Sequence, residues 1–594
     1  MRFSPEYLEN VVERLAGIGS HPLGFRVAGT PEEREAVDFI AAEMRSLGLE
    51  NVTEEPVPVD GWRLEEAHVE LADGTRVEGV SFGGVPETGS KGVEGELVAV
   101  GRGGRKQLDR VEVAGKIVLV EWQVARLWPY HVGLELGLRG AAAMVLFAPE
   151  GGPYYQAPQA LGTFDGIWHA EGPPCVTIRR EDAAKLQGRV RVVLRAPMAP
   201  AEGVNVVGEL PGRRRGAPAI VAGHHDGWFQ AAFDDATGVA VTLELARAFA
   251  EAGIRPRRTI AFVSHTAEEY GIAESAYDWC YGAWYQVVAE HREWATGSPF
   301  YLNVEGSGRP DVFTLDVPPE LTAWVRRHCR QAAADGLLPH GYKLDRPNTW
   351  TEVWPFLAAG IPGINVSTFT SEFDRTDYHT QYDTADKVDF GYLAKLTELC
   401  ARLLLDEPAL DFAARARELR KHGLELPKVV HDDARRRFTA LARGMHGLDA
   451  IDGPRYPHEQ TAADVEHLEE ALADLDRAAG PLSRVGLNWL CADLSQEAFR
   501  IERGRRGRGA RRACWGVQGD ADPGPDLWRE LASLRGEPGA REPGPWLEQS
   551  LRRHLERSRR ELARRRDRMA EAAAGRVFPL ARPRASDLPG ESGA

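Results

Sequence analysis

A polar cluster that directly follows an apolar run constrains the fold of this chain more than any other feature of its sequence. Residues 217–222 read Ala-Pro-Ala-Ile-Val-Ala and lead into Gly-His-His-Asp at 223–226. A short apolar run that ends at a glycine predicts a buried strand. His224 then lies at the carboxyl end of that strand, and Asp234 follows ten residues later, before a segment whose apolar residues have helical spacing.

Three further buried strands are predicted in the same way. Their apolar runs cover residues 258–265, 301–304 and 363–366. Glu268 and Glu269 lie just past the first of these runs, and Glu305 directly follows the second. Strands that alternate with helices predict an α/β fold, in which a mostly parallel sheet is flanked by helices and functional sites lie beyond the carboxyl ends of the strands.

The residue types at these strand ends are those that bind zinc. Zinc takes imidazole nitrogen and carboxylate oxygen as ligands, and two zinc ions about 3.5–4 Å apart need a bridging carboxylate. Asp234 is the candidate bridge, because its short side chain lies in a loop that opens a helix. The predicted ligands of two zinc ions per chain are His224, Asp234, Glu269, Glu305 and His379, the last from Tyr378-His379-Thr380.

Two acidic residues have predicted catalytic roles other than metal binding. Glu268 is adjacent to the ligand Glu269 and is free to take a proton from water and deliver it to a leaving group. Asp226 lies two residues after His224, on the same side of an extended segment. We therefore expect Asp226 to accept a hydrogen bond from the second ring nitrogen of His224 and so to orient the imidazole.

These motifs resemble the co-catalytic zinc aminopeptidase family, which includes bacterial leucyl-type aminopeptidases, glutamate carboxypeptidase and the catalytically inactive transferrin receptor. The family pattern is His-x-Asp, a bridging Asp, a Glu-Glu pair, an Asn-x-Asp and a Tyr-His, and the resemblance spans residues 1–405. The spacing from His224 to Asp234, with Trp228 between them, is most similar to the glutamate carboxypeptidase branch. Glu305 stands where the family has Asp, so we expect the zinc ion at Glu305 to be the weaker-held one.

The resemblance implies a zinc-dependent exopeptidase with peptide substrates. Aromatic residues near the motifs favour an aminopeptidase, with Tyr378, Trp228 and Trp350 as the expected substrate-binding residues. The alternatives are a glutamate carboxypeptidase-like dipeptidase or carboxypeptidase, a single-zinc glutaminyl cyclase, and a metal-free receptor-like scaffold. His224 argues against the cyclase, whose relatives lack the first histidine, and the intact ligand set argues against the scaffold.

Changes in sequence character divide the chain into five parts. Residues 1–60 and 203–405 are expected to form the catalytic domain. Residues 61–202 contain short β-rich runs and resemble an inserted protease-associated domain. Residues 406–580 are predicted to be helical and, by analogy with the carboxypeptidase branch, to offer a possible homodimer interface. Residues 581–594 are rich in Pro, Ser and Gly and are predicted to be disordered.

Composition argues against several classes of partner. The net charge of −15 and the pI near 5.7 argue against general nucleic-acid binding. The sequence has no 18-residue apolar run, so no membrane-spanning helix is expected, and its N-terminus lacks the apolar segment of a signal peptide. We therefore expect a cytoplasmic protein with no nucleic-acid or membrane partner. The six scattered cysteines suit a reducing compartment.

Overall fold

The structure is a computed structural model, and it describes residues 1–406 and 408 with internal gaps. The residues outside the description are 104, 123–131, 134–135, 138, 153, 164–171, 272–279, 292, 295–297, 319–320, 346, 348–350, 359–360, 407 and 409–594. Trp350, the predicted helical region with its homodimer interface, and the predicted disordered tail lie outside the described residues. They stay predictions, as does the cytoplasmic location.

A mixed eight-stranded sheet carries the motifs. Its strands, in spatial order, are β1 (Glu50–Trp62), β9 (Met198–Leu210), β11 (Arg258–His265), β10 (Arg214–His224), β12 (Tyr301–Val304), β15 (Gly363–Ser367), β13 (Phe313–Asp316) and β14 (Tyr342–Asp345). The central strands β11, β10, β12 and β15 pair in parallel. Antiparallel pairs flank them, β1 with β9 and β9 with β11 on one side and β15 with β13 on the other. The predicted α/β class is confirmed, with a sheet that is mixed rather than mostly parallel at its margins.

The strand register brings the motif residues to one edge of the sheet. His224 pairs with His265, Ala222 pairs with Asn303, and Asn303 pairs with Asn365. The carboxyl ends of four parallel strands are therefore level with one another. Polar residues just past these ends emerge side by side, as expected for a site in a sheet of this kind.

Helices cover both faces of the sheet. The longer helices are Pro5–Ala16, Pro31–Ser46, Thr237–Glu251, Thr322–Ala334 and Phe390–Leu405. The shorter helices and helical turns are Arg105–Leu108, Arg180–Ala183, Ala232–Ala236, Tyr281–Tyr285, Gln286–Glu290, Val353–Ala358, Ser371–Thr376 and Ala385–Lys387. Val221 packs with the longer helices, whereas its neighbour Ile220 packs on the opposite face with Ala283 and Phe356. No helix within the described residues is long and apolar enough to span a membrane.

A closed barrel is inserted between β1 and β9. Its strands are β2 (Glu66–Leu71), β3 (Arg76–Val80), β4 (Val93–Ala99), β5 (Ile117–Glu121), β6 (Ala143–Phe147), β7 (Cys175–Ile178) and β8 (Arg189–Arg195). The chain leaves the main sheet along β1 and returns along β9, and these two strands pair over their full length. The predicted β-rich insertion is confirmed, whereas its protease-associated identity and its bounds at 61 and 202 stay predictions.

Candidate metal centre

The five predicted ligands converge at the carboxyl edge of the central sheet. His224 is the last residue of β10, Glu305 directly follows β12, and Glu269 lies in the loop after β11. Asp234 lies in the helical turn that precedes the long helix after β10, and His379 lies in the loop after β15 and a short helix. All five side chains are buried, with at most 7% of their surface exposed.

The bridging candidate Asp234 lies between the two histidines. Its Oδ1 is 3.5 Å from Nε2 of His224, and its Oδ2 is 3.6 Å from Nε2 of His379. The same His224 nitrogen is 3.3 Å from Oε1 of Glu305, and the His379 nitrogen is 2.9 Å from Oε2 of Glu269. Two ligand atoms on one tetrahedral zinc ion lie about 3.3–3.6 Å apart. Three of the four separations match that value, so the donor set fits zinc.

Asp226 organises the loop that carries the two glutamates. Its Oδ1 accepts the backbone N–H of Glu268 at 3.0 Å, and its Oδ2 accepts that of Glu269 at 3.1 Å. Nδ1 of His224 lies closer to the carbonyl oxygen of Asp226, at 3.1 Å, than to its carboxylate, at 3.6 Å. The closer contact of the His224 ring is therefore with the backbone of Asp226, and the expected hydrogen bond from the ring to the Asp226 carboxylate is not made, since 3.6 Å exceeds hydrogen-bond distance.

Glu268 lies beside the ligands but has few contacts of its own. Its Oε1 accepts a hydrogen bond from Sγ of Cys280 at 3.3 Å, and its Oε2 is 3.9 Å from Nε2 of His224. Burial raises the pKa of the Glu268 carboxyl well above its usual range; Glu305 and Glu352 act in the same direction, and His224 opposes them. Its position beside the predicted ligands makes Glu268 the candidate for proton transfer.

Glu305 is held in place by an amide. Nδ2 of Asn303 donates to Oε2 of Glu305 at 2.9 Å and to Oε2 of Glu352 at 2.7 Å. Carboxylate oxygens of Glu268, Glu305 and Glu352 all lie within 4.8 Å of one another. Because Asn303 holds one oxygen of Glu305, the other oxygen is directed at His224, 3.3 Å from its Nε2.

Asp383 fixes the backbone on one side of Asp234. Its carboxylate accepts the N–H of Phe233 at 2.7 Å and the N–H of Asp234 at 3.0 Å. Burial raises the pKa of Asp383 to about 7, and the charge of Asp234 acts in the same direction. Asp383 therefore has a structural role, because it holds the backbone at Phe233 and Asp234 in place. No sequence pattern near Asp383 predicts that its carboxylate accepts hydrogen bonds from these distant N–H groups.

Asp235 fixes the backbone on the other side. Its carboxylate accepts the N–H of His224 at 3.2 Å and the N–H of Gly238 at 2.8 Å. A Cβ atom at Gly238 would lie 2.2 Å from the carbonyl oxygen of Val304, so only glycine allows this approach between the helix and β12. Asp235 thereby ties the end of β10 to the start of the helix.

Arg26 is a buried cation beneath the site, and the sequence analysis missed it. The side chain is fully buried and donates to the carbonyl oxygens of His225 and Leu15. Burial lowers the pKa of Arg26 to about 10, although Asp226 and Asp383 oppose that change. No local sequence pattern predicts the role of Arg26, because the carbonyl group to which it donates, that of His225, is 199 residues away in the chain.

Two of the predicted substrate-binding residues contact the His379 imidazole. The half-buried ring of Tyr378 stacks on it with 3.7 Å between centroids. Trp228 packs edge-on against the same imidazole, with 6.5 Å between the ring centroids. Trp228 also packs against Trp62 and Phe25. Since Trp228 is only 2% exposed, it supports the imidazole from the protein interior, and contact of either ring with substrate stays a prediction.

Two further histidines at the strand ends have structural partners. Nδ1 of His225 is 2.9 Å from Oγ of Ser264, and its Nε2 is 3.3 Å from Oε1 of Glu33. Nε2 of His265 is 3.2 Å from the hydroxyl of Tyr301. These contacts join the strands to one another and to helix Pro31–Ser46, so neither imidazole is directed at the ligand group.

Comparison with known proteins relates this geometry to a family. Residues 205–404 match the family described as Peptidase family M28. Carboxypeptidase Q from Bos taurus is 27% identical over 284 residues, which cover 44% of this chain and 58% of that protein. A probable glutamate carboxypeptidase from Arthroderma benhamiae is 30% identical over 165 residues, which cover 27% of this chain and 21% of that protein. The chain thus spans little more than half the length of the first relative.

A solved structure supports the fold. The crystal structure of BSAP, a zinc aminopeptidase from Bacillus subtilis, superposes with a TM-score of 0.55 at 22% sequence identity. The superposition covers 67% of this chain and 94% of that chain. The central sheet and its flanking helices therefore share the fold of that protein.

Proposed function

We propose that this chain is a zinc-dependent exopeptidase that holds two zinc ions, because residues 205–404 match Peptidase family M28. One observation carries the proposal: the two carboxylate oxygens of Asp234 each lie within 3.6 Å of a different histidine. A carboxylate in that position can bridge two ions. When bound, the two ions would activate a water molecule and polarise the carbonyl group that it attacks.

The residues of the chain supply proton transfer and orientation. Glu268 accepts a proton from the attacking water and gives it to the nitrogen of the leaving amine as the peptide C–N bond breaks. Asp226 keeps Glu268 and Glu269 in place through their backbone N–H groups. Glu269 and His379 face one side of Asp234, and His224 and Glu305 face the other.

We favour an aminopeptidase because of the charge around the ligands. In the described part of the chain, the buried carboxylates at this edge are Asp226, Asp234, Asp235, Glu268, Glu269, Glu305, Glu352 and Asp383. Acidic side chains therefore outnumber the buried cation Arg26 at this edge, and this composition favours a cationic group of the substrate over an anionic one. An α-ammonium group is attracted to such a site, and a terminal carboxylate is repelled.

A carboxypeptidase is the second candidate, and a specific observation favours it. The named relatives in the sequence comparison are carboxypeptidases. Arg375, four residues before His379, has an exposed side chain that could supply a cation near the ligands. A carboxypeptidase would need such a cation to hold the terminal carboxylate of its substrate.

Blocking each end of one peptide separates the two candidates. The full chain, loaded with zinc, is assayed on an apolar tripeptide, on its N-acetylated form and on its C-amidated form. The aminopeptidase proposal predicts that acetylation abolishes hydrolysis and that amidation changes it little. The reverse pattern would assign a carboxypeptidase.

A further inference from the structure

The inserted barrel makes direct main-chain contact with the loop that carries His379. We define the docking segment as residues 156–163, between β6 and β7, and the His379 loop as residues 375–382. The N–H of Gln156 donates to the carbonyl of Arg375 at 2.7 Å, and the N–H of Thr163 donates to the carbonyl of His379 itself at 3.0 Å. The contacted backbone therefore includes the predicted metal ligand.

The side chain of Gln381 extends this pairing. Its Oε1 accepts the N–H of Leu161 at 2.9 Å, and its Nε2 donates to the carbonyl of Gln159 at 2.7 Å. The hydroxyl of Tyr382 donates to the carbonyl of Pro158 at 2.6 Å. The amide of Gln381 thus satisfies one donor and one acceptor of the docking segment, as the backbone of a paired strand would.

The docking segment is in turn fixed to the barrel wall. Oγ1 of Thr163 donates to the carbonyl of Ser81 at 2.7 Å, and Oγ of Ser81 donates to the carbonyl of Cys175 at 2.8 Å. The hydroxyl of Tyr155 donates to the carbonyl of Thr163, and a Cβ atom at Gly162 would lie 2.4 Å from the Tyr155 ring. A continuous set of hydrogen bonds therefore runs from the barrel wall to His379.

His379 needs such support because of its backbone conformation. Its φ is 50°, in the left-handed region that residues other than glycine rarely adopt. A residue is kept there only when its surroundings hold it. The hydrogen bond from Thr163 to its carbonyl is one such contact, and the stack of Tyr378 on its ring is another.

We propose that the docking segment is part of the metal centre: it positions His379 and thereby sets the affinity for the zinc ion on the His379 side. Gln381 is the positioning residue through which this can be tested, since its half-buried side chain contacts the docking segment and it lies only two residues from His379. The inference rests on the proposed two-zinc centre. It gives the barrel a role in zinc affinity, beyond that of an inserted domain which only covers the site.

The test measures zinc binding by the full chain in competition with a chromogenic chelator, so that two binding steps are resolved. His379→Ala identifies the step on the His379 side. Gln381→Ala removes the amide, and Gln381→Met removes the hydrogen bonds but keeps the length of the side chain. Gln331→Ala is the matched control, because its amide donates to Asp335 at the end of helix Thr322–Ala334, which carries none of the predicted ligands.

Both Gln381 variants are expected to weaken the His379-side step by about 10–100-fold, as changes to the partners of metal ligands do. The other step and both steps of Gln331→Ala are expected to match the wild type. Two unchanged steps in both Gln381 variants would overturn the inference. Equal weakening of both steps with a lowered unfolding temperature would also overturn it, since that result indicates a general structural role. A wild-type chain that binds no zinc would overturn the proposed function as well.

Discussion

At the scale of single residues, the neighbours Glu268 and Glu269 differ in the groups that their carboxylates contact. Glu269 lies 2.9 Å from His379, whereas Glu268 is 3.9 Å from His224 and its other oxygen accepts a hydrogen bond from the thiol of Cys280. We therefore predict that Glu268→Gln keeps the fold and the zinc content but lowers kcat by about 10²–10⁴-fold, because the amide cannot accept the proton. Steady-state kinetics with elemental analysis would check this, with the exposed Glu9→Gln as control. Near-normal turnover would remove Glu268 from the mechanism.

Glu305 gives two opposed predictions, one from the sequence and one from the structure. The sequence alone predicts that Glu305→Asp, which restores the family residue, tightens zinc binding. The structure predicts the opposite, because Oε1 already lies 3.3 Å from His224 and Oε2 is held by Asn303. Removing a methylene would withdraw both oxygens, and metal geometry tolerates only about 0.2 Å of misfit.

We therefore expect Glu305→Asp to weaken one zinc-binding step by about ten-fold or more. Substitutions of residues that merely support a metal ligand already weaken metal binding by about 10–100-fold, and Glu305 is itself a predicted ligand. Stepwise chelator titration of the purified chain measures it, with Asp311→Glu as a carboxylate swap away from the ligands. A tightened step would support the sequence-based expectation instead and show that the chain relaxes around the shorter side chain.

At the level of elements, the strands that carry the ligands could be predicted from the sequence. The residues that hold the backbone around those ligands in place could not. The predicted runs at 258–265 and 301–304 are strands with those bounds, and the run at 217–222 lies within β10. Apolar runs reveal such strands because both faces are buried. Arg26 and Asp383 have no such pattern, since each acts on backbone groups that only the fold brings near.

The contact between His291 and β1 gives a pH-dependent prediction at this scale. Nε2 of His291 is 2.6 Å from Oε1 of Glu55, whose other oxygen accepts a hydrogen bond from Gln286 at 3.0 Å. Burial alone would lower the pKa of His291, but the hydrogen bond and charge of Glu55, aided by Glu293, raise it to about 9. The contact ties β1 to the helical segment that begins beside Cys280, the partner of Glu268.

The direction in which stability changes with pH follows from the raised pKa of His291. The unfolded chain has a histidine pKa of about 6.5, so the stabilisation from charged His291 is fully present below that pH. It is lost as the pH rises through about 9. We expect the difference in thermal midpoint between wild type and His291→Gln to be larger at pH 6 than at pH 10, where the variant lacks only the pH-independent stacking of His291 on Trp294. A difference that is constant over this range would contradict the assigned ion pair.

At the scale of the whole molecule, hydrogen bonds join the barrel to the loop that carries the predicted ligand His379. The sequence predicts a β-rich insertion, because its apolar runs are short and glycine lies between them, but it gives no indication of where the insertion contacts the catalytic domain. That contact depends on the pairing of residues 156–163 with residues 375–382, more than 200 positions apart. Long-range pairs of this kind have no local signal in the chain.

Zinc stoichiometry of the full chain tests the central claim most directly. After equilibration with excess zinc and removal of free metal, elemental analysis should find two zinc ions per chain in the wild type. His224→Ala and His379→Ala should each retain at most one, and the double variant should retain none, which excludes sites elsewhere in the chain. One zinc ion per chain in the wild type, or two in either single variant, would contradict a centre in which Asp234 bridges two ions.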